Sequence, residues 1–176
     1  MDVRMSFRWL CLIGVPVLLL PAVLPRKATA RRLGRVEVPP AGRPAPTSAD
    51  EARRLEIQAI VDEFRTKLPV DSQVRASFVP FNPLVVSVAR VNGEDAFEIS
   101  IEARFAAELT DDEIRAVVAH ELGHVWIFTH HPYLHTEELA NSIAMRLVSR
   151  DTLDAVYNKV WTATRQPGNL VYLPKK

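Results

Sequence analysis

Two histidines and a glutamate in the 176-residue sequence have the spacing of a metal site. His120 and His124 are four residues apart, so on a helix both imidazoles project from one face and can bind a single ion, at about 2.0–2.1 Å for zinc. Glu121 lies next to the first histidine and is placed to accept a proton from a zinc-bound water and pass it to a leaving amine. These three residues predict zinc-dependent hydrolysis with Glu121 as the catalytic base.

The residues around this motif predict that it lies on a helix. Thr110 and Glu113 form a capping box, and apolar residues follow at helical spacing. A surface helix that carries two histidines and a glutamate by chance is the alternative, and the apolar flanks disfavour it. Gly123 costs a helix interior about 1 kcal/mol relative to alanine, so we expect another backbone to approach it closely.

One candidate for the third zinc ligand is His130. The spacing H-E-x-x-H-x-x-x-x-x-H resembles the metzincins, in which a glycine between the last two histidines lets the chain turn back. Ile127 stands at that place here, and a β-branched residue does not readily take a positive φ. If the helix continues, His130 lies about 120° around it from His124. The sequence therefore disfavours His130 as a ligand.

The other candidate is Glu137, at the beginning of the next predicted helix. Here the chain resembles the gluzincins, whose third ligand is a glutamate on the helix that follows the motif. Glu138 is a rival by one residue. Glu137 is preferred because it shares a helical stripe with Ala140 and Asn141 that leads into the apolar face. The resemblance thus implies zinc held by His120, His124 and Glu137.

The string Asp111–His124 (DDEIRAVVAHELGH) looks most like the membrane-associated heat-shock and CAAX-prenyl protease group. This resemblance covers about Phe97 to Val148 and implies a minimal catalytic core without the several membrane spans of those enzymes. The strand that precedes the motif helix and ends near Phe105 matches the gluzincin edge strand. An extended peptide substrate is held along that strand by added β-pairing.

Asn141 departs from the gluzincin pattern, which has an aspartate four residues after the glutamate. An asparagine carbonyl can accept the imidazole N–H of the first histidine, but it brings no negative charge. We therefore expect zinc binding to be retained and catalysis to be weaker. Peptidases of this kind also add a side chain that stabilises the oxyanion, and the candidates here are Tyr133, His135 and Tyr157.

The hydrophobic pattern predicts an α+β fold, and the resemblance implies that it is zincin-like. It comprises an N-terminal helix, a small sheet that contains an antiparallel pair, the motif helix and a following glutamate helix. The hairpin signal Asn92-Gly93 joins two of the strands. The predicted elements are helices at Ser48–Lys67, Thr110 to about Thr129–His131, Thr136–Val148 and Asp151–Trp161, and strands at Gln73–Val79, Leu84–Val91 and Ala96–Phe105.

The N-terminal residues have the pattern of a targeting segment. An apolar run at residues 9–24 follows two arginines and precedes the small residues Ala28-Thr29-Ala30, which predicts a signal peptide over residues 1–30. The alternative is a membrane anchor formed by residues 9–24. A Pro/Arg-rich linker is expected at 31–47, the peptidase domain at 48–165 and an irregular tail at 166–176.

Export to the periplasm or the extracellular space, or anchoring to a membrane, is therefore the predicted location. Arginines and a lysine after the apolar run favour the cytoplasm for that side, so the sequence leaves the topology open. The only cysteine, Cys11, lies within the apolar run, and a mature chain would contain none. The net charge of +1 gives no electrostatic case for nucleic acid.

Two functions fit this sequence. The favoured one is a gluzincin-like zinc peptidase that hydrolyses peptide bonds in a peptide or protein substrate, with a zinc-bound water activated by Glu121. The other is a catalytically weak or inactive zinc-binding domain that recognises peptides through the same cleft. Asn141 and the lack of an assured oxyanion donor are the features that favour the second.

Overall fold

The computed structural model describes residues 48–91, 94–165 and 173. It is an α+β structure in which a three-stranded sheet is followed by most of the helices. The elements in chain order are α1 (Ser48–Lys67), β1 (Gln73–Val79), β2 (Val86–Arg90), β3 (Ala96–Glu102), α2 (Ala103–Ala107), α3 (Asp111–His130), a 3-10 turn (Pro132–Leu134), α4 (Glu137–Ala144) and α5 (Arg150–Thr164).

The first helix, α1, has the bounds that its apolar spacing predicts. Ile57, Val61, Phe64 and Leu68 recur every three or four residues and are buried on one face. This face packs against α3 and β1. On the exposed side, Glu51 accepts two hydrogen bonds from Arg54. Helix α1 therefore covers one side of the core into which the motif helix α3 packs.

The sheet has the strand order β1-β3-β2. β1 pairs with β3 in parallel, and β2 pairs with β3 in antiparallel fashion. The predicted antiparallel pair is thus present, although the Asn92-Gly93 turn itself lies outside the described residues. The prediction that the strand before the motif helix is an edge strand was wrong, because β3 is hydrogen-bonded on both sides. β2 is the edge strand on the side of the sheet that contacts α3.

The strand predicted to reach Phe105 ends earlier, at Glu102. The short helix α2 follows directly, with Phe105 and Ala106 buried on its inner side. Alternation at Ala103 and Phe105 fitted a strand, but Phe105, Ala106 and Leu109 also share one helical face, and all three are buried in the helical arrangement. The packing of these side chains in the core therefore favours the helical spacing over the alternation of a strand.

The motif helix α3 begins as predicted. Thr110 is its N-cap: its hydroxyl accepts from the backbone N–H of Glu113, whose carboxylate accepts from the backbone N–H of Thr110. Most of the helix is buried, and it contacts α1, α4, α5 and β2. The helix continues through Ile127 without a turn, because the carbonyl of Ile127 accepts from the backbone N–H of His131.

The two helices after the motif differ in length from the prediction. α4 begins after Thr136, whose hydroxyl accepts from the backbone N–H of Leu139, and it ends at Ala144 rather than near Val148. α5 extends beyond the predicted Trp161 and is capped by Ser149. Lys159 of α5 donates to the Glu113 carboxylate at 2.7 Å, which fastens α5 to the beginning of α3.

No helix within the described ranges is long and apolar enough to cross a membrane. The predicted signal peptide or anchor, the linker and the C-terminal tail lie outside the described residues, apart from Leu173, which is buried. Their assignment stays a prediction from the sequence.

Candidate metal centre

The two motif histidines face each other on the buried side of α3. Their Nε2 atoms are 3.0 Å apart, and the ring centroids are 4.6 Å apart with the rings nearly perpendicular. The side chain of His124 is 4% exposed and that of His120 is 16% exposed. Two imidazole nitrogens therefore converge on one point that is open to solvent on the His120 side.

Glu137, the first residue of α4, brings its carboxylate to the same point. Its Oε2 lies 3.3 Å from His120 Nε2, and its Oε1 lies 3.6 Å from His124 Nε2. The ligand atoms of these three residues all lie within 4.8 Å of one another. The structure thus brings together the three residues that the sequence and the resemblance single out, from two different helices.

The donor set fits a zinc ion. Three ligands at about 2.0–2.1 Å from a tetrahedral centre are about 3.3 Å from one another. The two Nε2 atoms are 3.0 Å apart, and each lies 3.3 or 3.6 Å from a different oxygen of the Glu137 carboxylate. Two histidines and one glutamate are also the protein ligands of catalytic zinc sites that leave a fourth position open. These residues could hold zinc without a change of fold.

Gly123 lets α4 approach this close. A Cβ at residue 123 would lie 2.6 Å from the carbonyl oxygen of Ala140, which is nearer than real Cβ contacts come. The close backbone approach that the sequence led us to expect at Gly123 is confirmed. Since Ala140 is one turn after Glu137, this contact sets how near the carboxylate lies to the histidines.

His120 is held from behind by Asn141. Its Nδ1 is 2.8 Å from Asn141 Oδ1, and a carbonyl oxygen only accepts, so Nδ1 carries a proton and Nε2 is the nitrogen turned toward His124 and Glu137. Asn141 is completely buried. It provides the orientation expected of the residue four positions after the glutamate, as a neutral acceptor.

His124 is held from behind by His135, in the segment between α3 and α4. Its Nδ1 is 2.9 Å from His135 Nε2, and the two rings are stacked within 9° of parallel. His124 thus also turns its Nε2 toward His120 and Glu137. Burial, followed by the nearby charge of His124, lowers the pKa of His135, which keeps that ring neutral and able to accept.

The three residues proposed from sequence to stabilise an oxyanion lie in different places. His135 lies behind His124, as described. The hydroxyl of Tyr157 accepts from Asn141 Nδ2 at 2.8 Å and lies 3.5 Å from Glu137 Oε2. Tyr133 is 98% exposed in the turn before α4. His135 and Tyr157 thus contact residues of the candidate metal site, and an oxyanion role for any of the three stays a prediction.

The cluster strongly favours positive charge. Burial by itself lowers the pKa of His120, but the hydrogen bond and negative charge of Glu137 outweigh it and raise that pKa to about 9. Burial would raise the pKa of Glu137, and the hydrogen bonds of His120 and His124 instead hold it well below its usual range. A carboxylate that stays ionised among imidazoles is the electrostatic environment that a divalent cation needs.

Glu121 is 7% exposed and faces the strand β2. Burial raises the pKa of its carboxyl group, and the charges of His120 and His124 oppose that rise. The backbone N–H of Val88, in β2, is directed at the carboxylate and adds a smaller opposing contribution. Glu121 therefore lies between the cluster and a strand of the sheet, without being one of the three converging ligands.

The rival ligands lie elsewhere. His130 is at the exposed end of α3, where its ring stacks on Trp126 at 4.5 Å and its Nδ1 lies 3.0 Å from the Trp126 carbonyl oxygen. Glu138 is exposed on the outer side of α4. Neither belongs to the converging group, in agreement with the sequence-based preference for Glu137.

No protein-family model and no curated protein matches the sequence. The structure is similar to that of the metallopeptidase zymogen abylysin of Pyrococcus abyssi, over 64% of this chain and 99% of the other. The TM-score is 0.47 and the sequence identity is 12%. A likeness of this degree carries no argument about function, so the site is interpreted from its own residues.

Proposed function

We propose that the protein is a zinc-dependent peptidase of the gluzincin kind, with a zincin-like fold and with zinc held by His120, His124 and Glu137. The observation that carries this proposal is the convergence of the three ligand atoms from α3 and α4 beside Glu121. Each histidine also has its outer nitrogen occupied, by Asn141 or His135, which leaves the inner nitrogen for the metal.

The zinc ion, when bound, polarises the scissile carbonyl and makes water a better nucleophile at neutral pH. Glu121 accepts the proton of the attacking water and then donates it to the nitrogen of the leaving amine. The N–H of Val88 is directed at this carboxylate and favours its ionised form. The peptide C–N bond breaks, and the products are a carboxylate and an amine.

We propose that a peptide substrate pairs with the outer edge of β2 rather than with β3. Val91 donates a backbone hydrogen bond to Ala96 and Val85 accepts one from Glu102, so the alternate residues Val88 and Arg90 direct their backbone groups away from β3. Because the N–H of Val88 faces Glu121, the groups left for a peptide are the carbonyl of Val88 and the backbone of Arg90. An extended peptide added there would run next to Glu121. The strand proposed to pair with the substrate is therefore β2, and not β3 as the sequence predicted.

A second function, binding of peptides without hydrolysis, is favoured by one observation. His135 and Tyr157 contact the ligand residues, and Tyr133 is exposed, so the named candidates offer no assured oxyanion donor. A relation to the CAAX-prenyl protease group stays an interpretation of the string Asp111–His124.

The test is to replace Glu121 with Gln in the full chain. We expect Glu121→Gln to retain zinc, measured by metal analysis, and to lose chelator-sensitive cleavage of denatured casein by several orders of magnitude, because the amide of glutamine cannot accept the proton. Glu138→Gln removes an exposed carboxylate near the site and is the matched control, with cleavage unchanged. Undiminished cleavage by Glu121→Gln would refute the peptidase proposal. Bound zinc without cleavage by the wild-type protein would favour peptide binding.

A further inference from the structure

Asn141 and Tyr157 form a chain of hydrogen bonds that runs from His120 to Glu137. Asn141 Oδ1 accepts from His120 Nδ1 at 2.8 Å. The amide nitrogen of the same side chain donates to the Tyr157 hydroxyl at 2.8 Å. The hydroxyl in turn donates to Glu137 Oε2 at 3.5 Å. The side chain of Tyr157, from α5, thus contacts Glu137 of α4 directly and is linked to His120 of α3 through the amide of Asn141.

Which group donates and which accepts in each of these hydrogen bonds depends on residue 141 having an amide side chain. Because Asn141 is completely buried, its oxygen and nitrogen both need partners, and His120 and Tyr157 supply them. A hydroxyl that accepts from Asn141 keeps its own proton for Glu137. An aspartate in the same place has no proton to give, so it would accept from both His120 and Tyr157 and compete with Glu137 for the tyrosine proton.

The Tyr157 proton bears on the orientation of the third ligand. The terminal torsion of a glutamate has a broad energy well, so the carboxylate needs a partner to fix its rotation. Oε2 is the oxygen that faces His120, and Oε1 faces His124. A donor on Oε2 therefore holds both oxygens in their places relative to the two histidines.

We propose that Tyr157 is a positioning residue for Glu137, and that Asn141 enables this by donating to the tyrosine hydroxyl. Asn141 is then an adaptation of the site to a tyrosine on α5 and not a weakened aspartate. This inference rests on the proposed metal site, but it concerns the alignment of a ligand and makes no use of hydrolysis.

The test is a double-mutant cycle between Tyr157→Phe and Glu137→Gln in the full chain, with zinc affinity measured by competition with a chromophoric chelator. Tyr157→Phe keeps the ring, which packs edge-on against His120 at 5.9 Å. We expect it to weaken zinc binding about 10-fold in the wild-type background and less than about 3-fold with Glu137→Gln. Thr162→Val removes a hydroxyl from the same helix away from the site and should leave the affinity unchanged.

A metal-free version of the cycle separates this inference from the proposed function. The same four proteins are unfolded with urea without zinc, and we expect the two substitutions to be coupled there too, because the hydrogen bond is within the protein. Repeating the cycle with Asn141→Asp should remove the coupling. Equal losses from Tyr157→Phe with and without Glu137, in both measurements, would overturn the role of Tyr157. Undiminished coupling in Asn141→Asp would overturn that of Asn141.

Discussion

The helices α3 and α4 hold the same candidate metal in different ways. α3 has 20 residues, a reciprocal capping box and a buried length that contacts most of the other elements. α4 has 8 residues, a single capping bond from Thr136 and one exposed side. An isolated helix of that length is unstable in water. The first two ligands thus depend on the core, whereas Glu137 depends on contacts that α4 makes with α3 and α5.

Removal of the α4 ligand should give the largest change in metal affinity. We expect Glu137→Gln to weaken zinc binding by more than the roughly 10- to 100-fold that loss of an outer hydrogen-bond partner costs, because a charged ligand is lost. Chelator competition measures this. Glu138→Gln is the adjacent exposed control and should bind normally; a reversed outcome for the two variants would assign the third ligand to Glu138.

The contact between the two helices comes next in size. In Gly123→Ala the new methyl group would meet the carbonyl oxygen of Ala140, so α4 must shift. We expect the free energy of unfolding to fall by about 1–3 kcal/mol, measured by urea denaturation, together with weaker zinc binding. In a helix without this contact the same change would stabilise by up to about 1 kcal/mol, so a more stable variant would contradict the role assigned to Gly123.

The segment between the two helices should have an intermediate effect. His135→Ala removes the acceptor on His124 Nδ1, and we expect zinc affinity to fall about 10-fold with little change in overall helix content. Circular dichroism and chelator competition measure the two quantities. His131→Ala, a change at an exposed histidine four residues earlier, is the control and should bind as the wild type does.

The smallest effect is expected at the beginning of α3, far from the metal. Although burial alone would raise the pKa of Glu113, its hydrogen bonds with Lys159 and Thr110 lower it below the ordinary value. A lowered pKa contributes stability above the unfolded pKa of about 4.3 and loses it as the pH falls through the folded value. Glu113→Gln should therefore cost about 1 kcal/mol at pH 7 and less as the pH is lowered below the unfolded pKa, by urea denaturation. A cost that is equal at the two values of pH would contradict this electrostatic origin.

The better-anchored helix was also the more predictable one. The capping box, the apolar spacing and the motif of α3 are all local, so the sequence specifies where it begins and which face carries His120 and His124. Glu137 was found through the resemblance and the helical stripe that it shares with Asn141. The close contact at Gly123 was predicted because a glycine destabilises a helix interior and is best explained there by another backbone packed against it.

The remaining features depend on contacts between distant segments. The contact of His135 with His124 had no local signal, since the histidine lies in an irregular segment after a proline. Tyr157 lies on α5, and its contacts with Asn141 and Glu137 cannot be predicted from helical periodicity, which relates only residues on the same helix. The end of β3 was predicted wrongly because the position of Phe105 fits the apolar pattern of a strand and that of a helix equally well. The parallel pairing of β3 with β1 depends on contacts between segments that are distant in sequence, so no local pattern predicts it.

The approach of the Val88 N–H to Glu121 has a consequence for how this site tolerates change over evolutionary time. The donor is a main-chain group, so nearly any side chain can stand at residue 88, and only proline, which has no N–H, is excluded. Selection would instead act on the register of β2, since a shift by one residue turns the next N–H toward β3. The contribution of this strand to the proposed catalytic base would thus leave no conserved side chain to mark it.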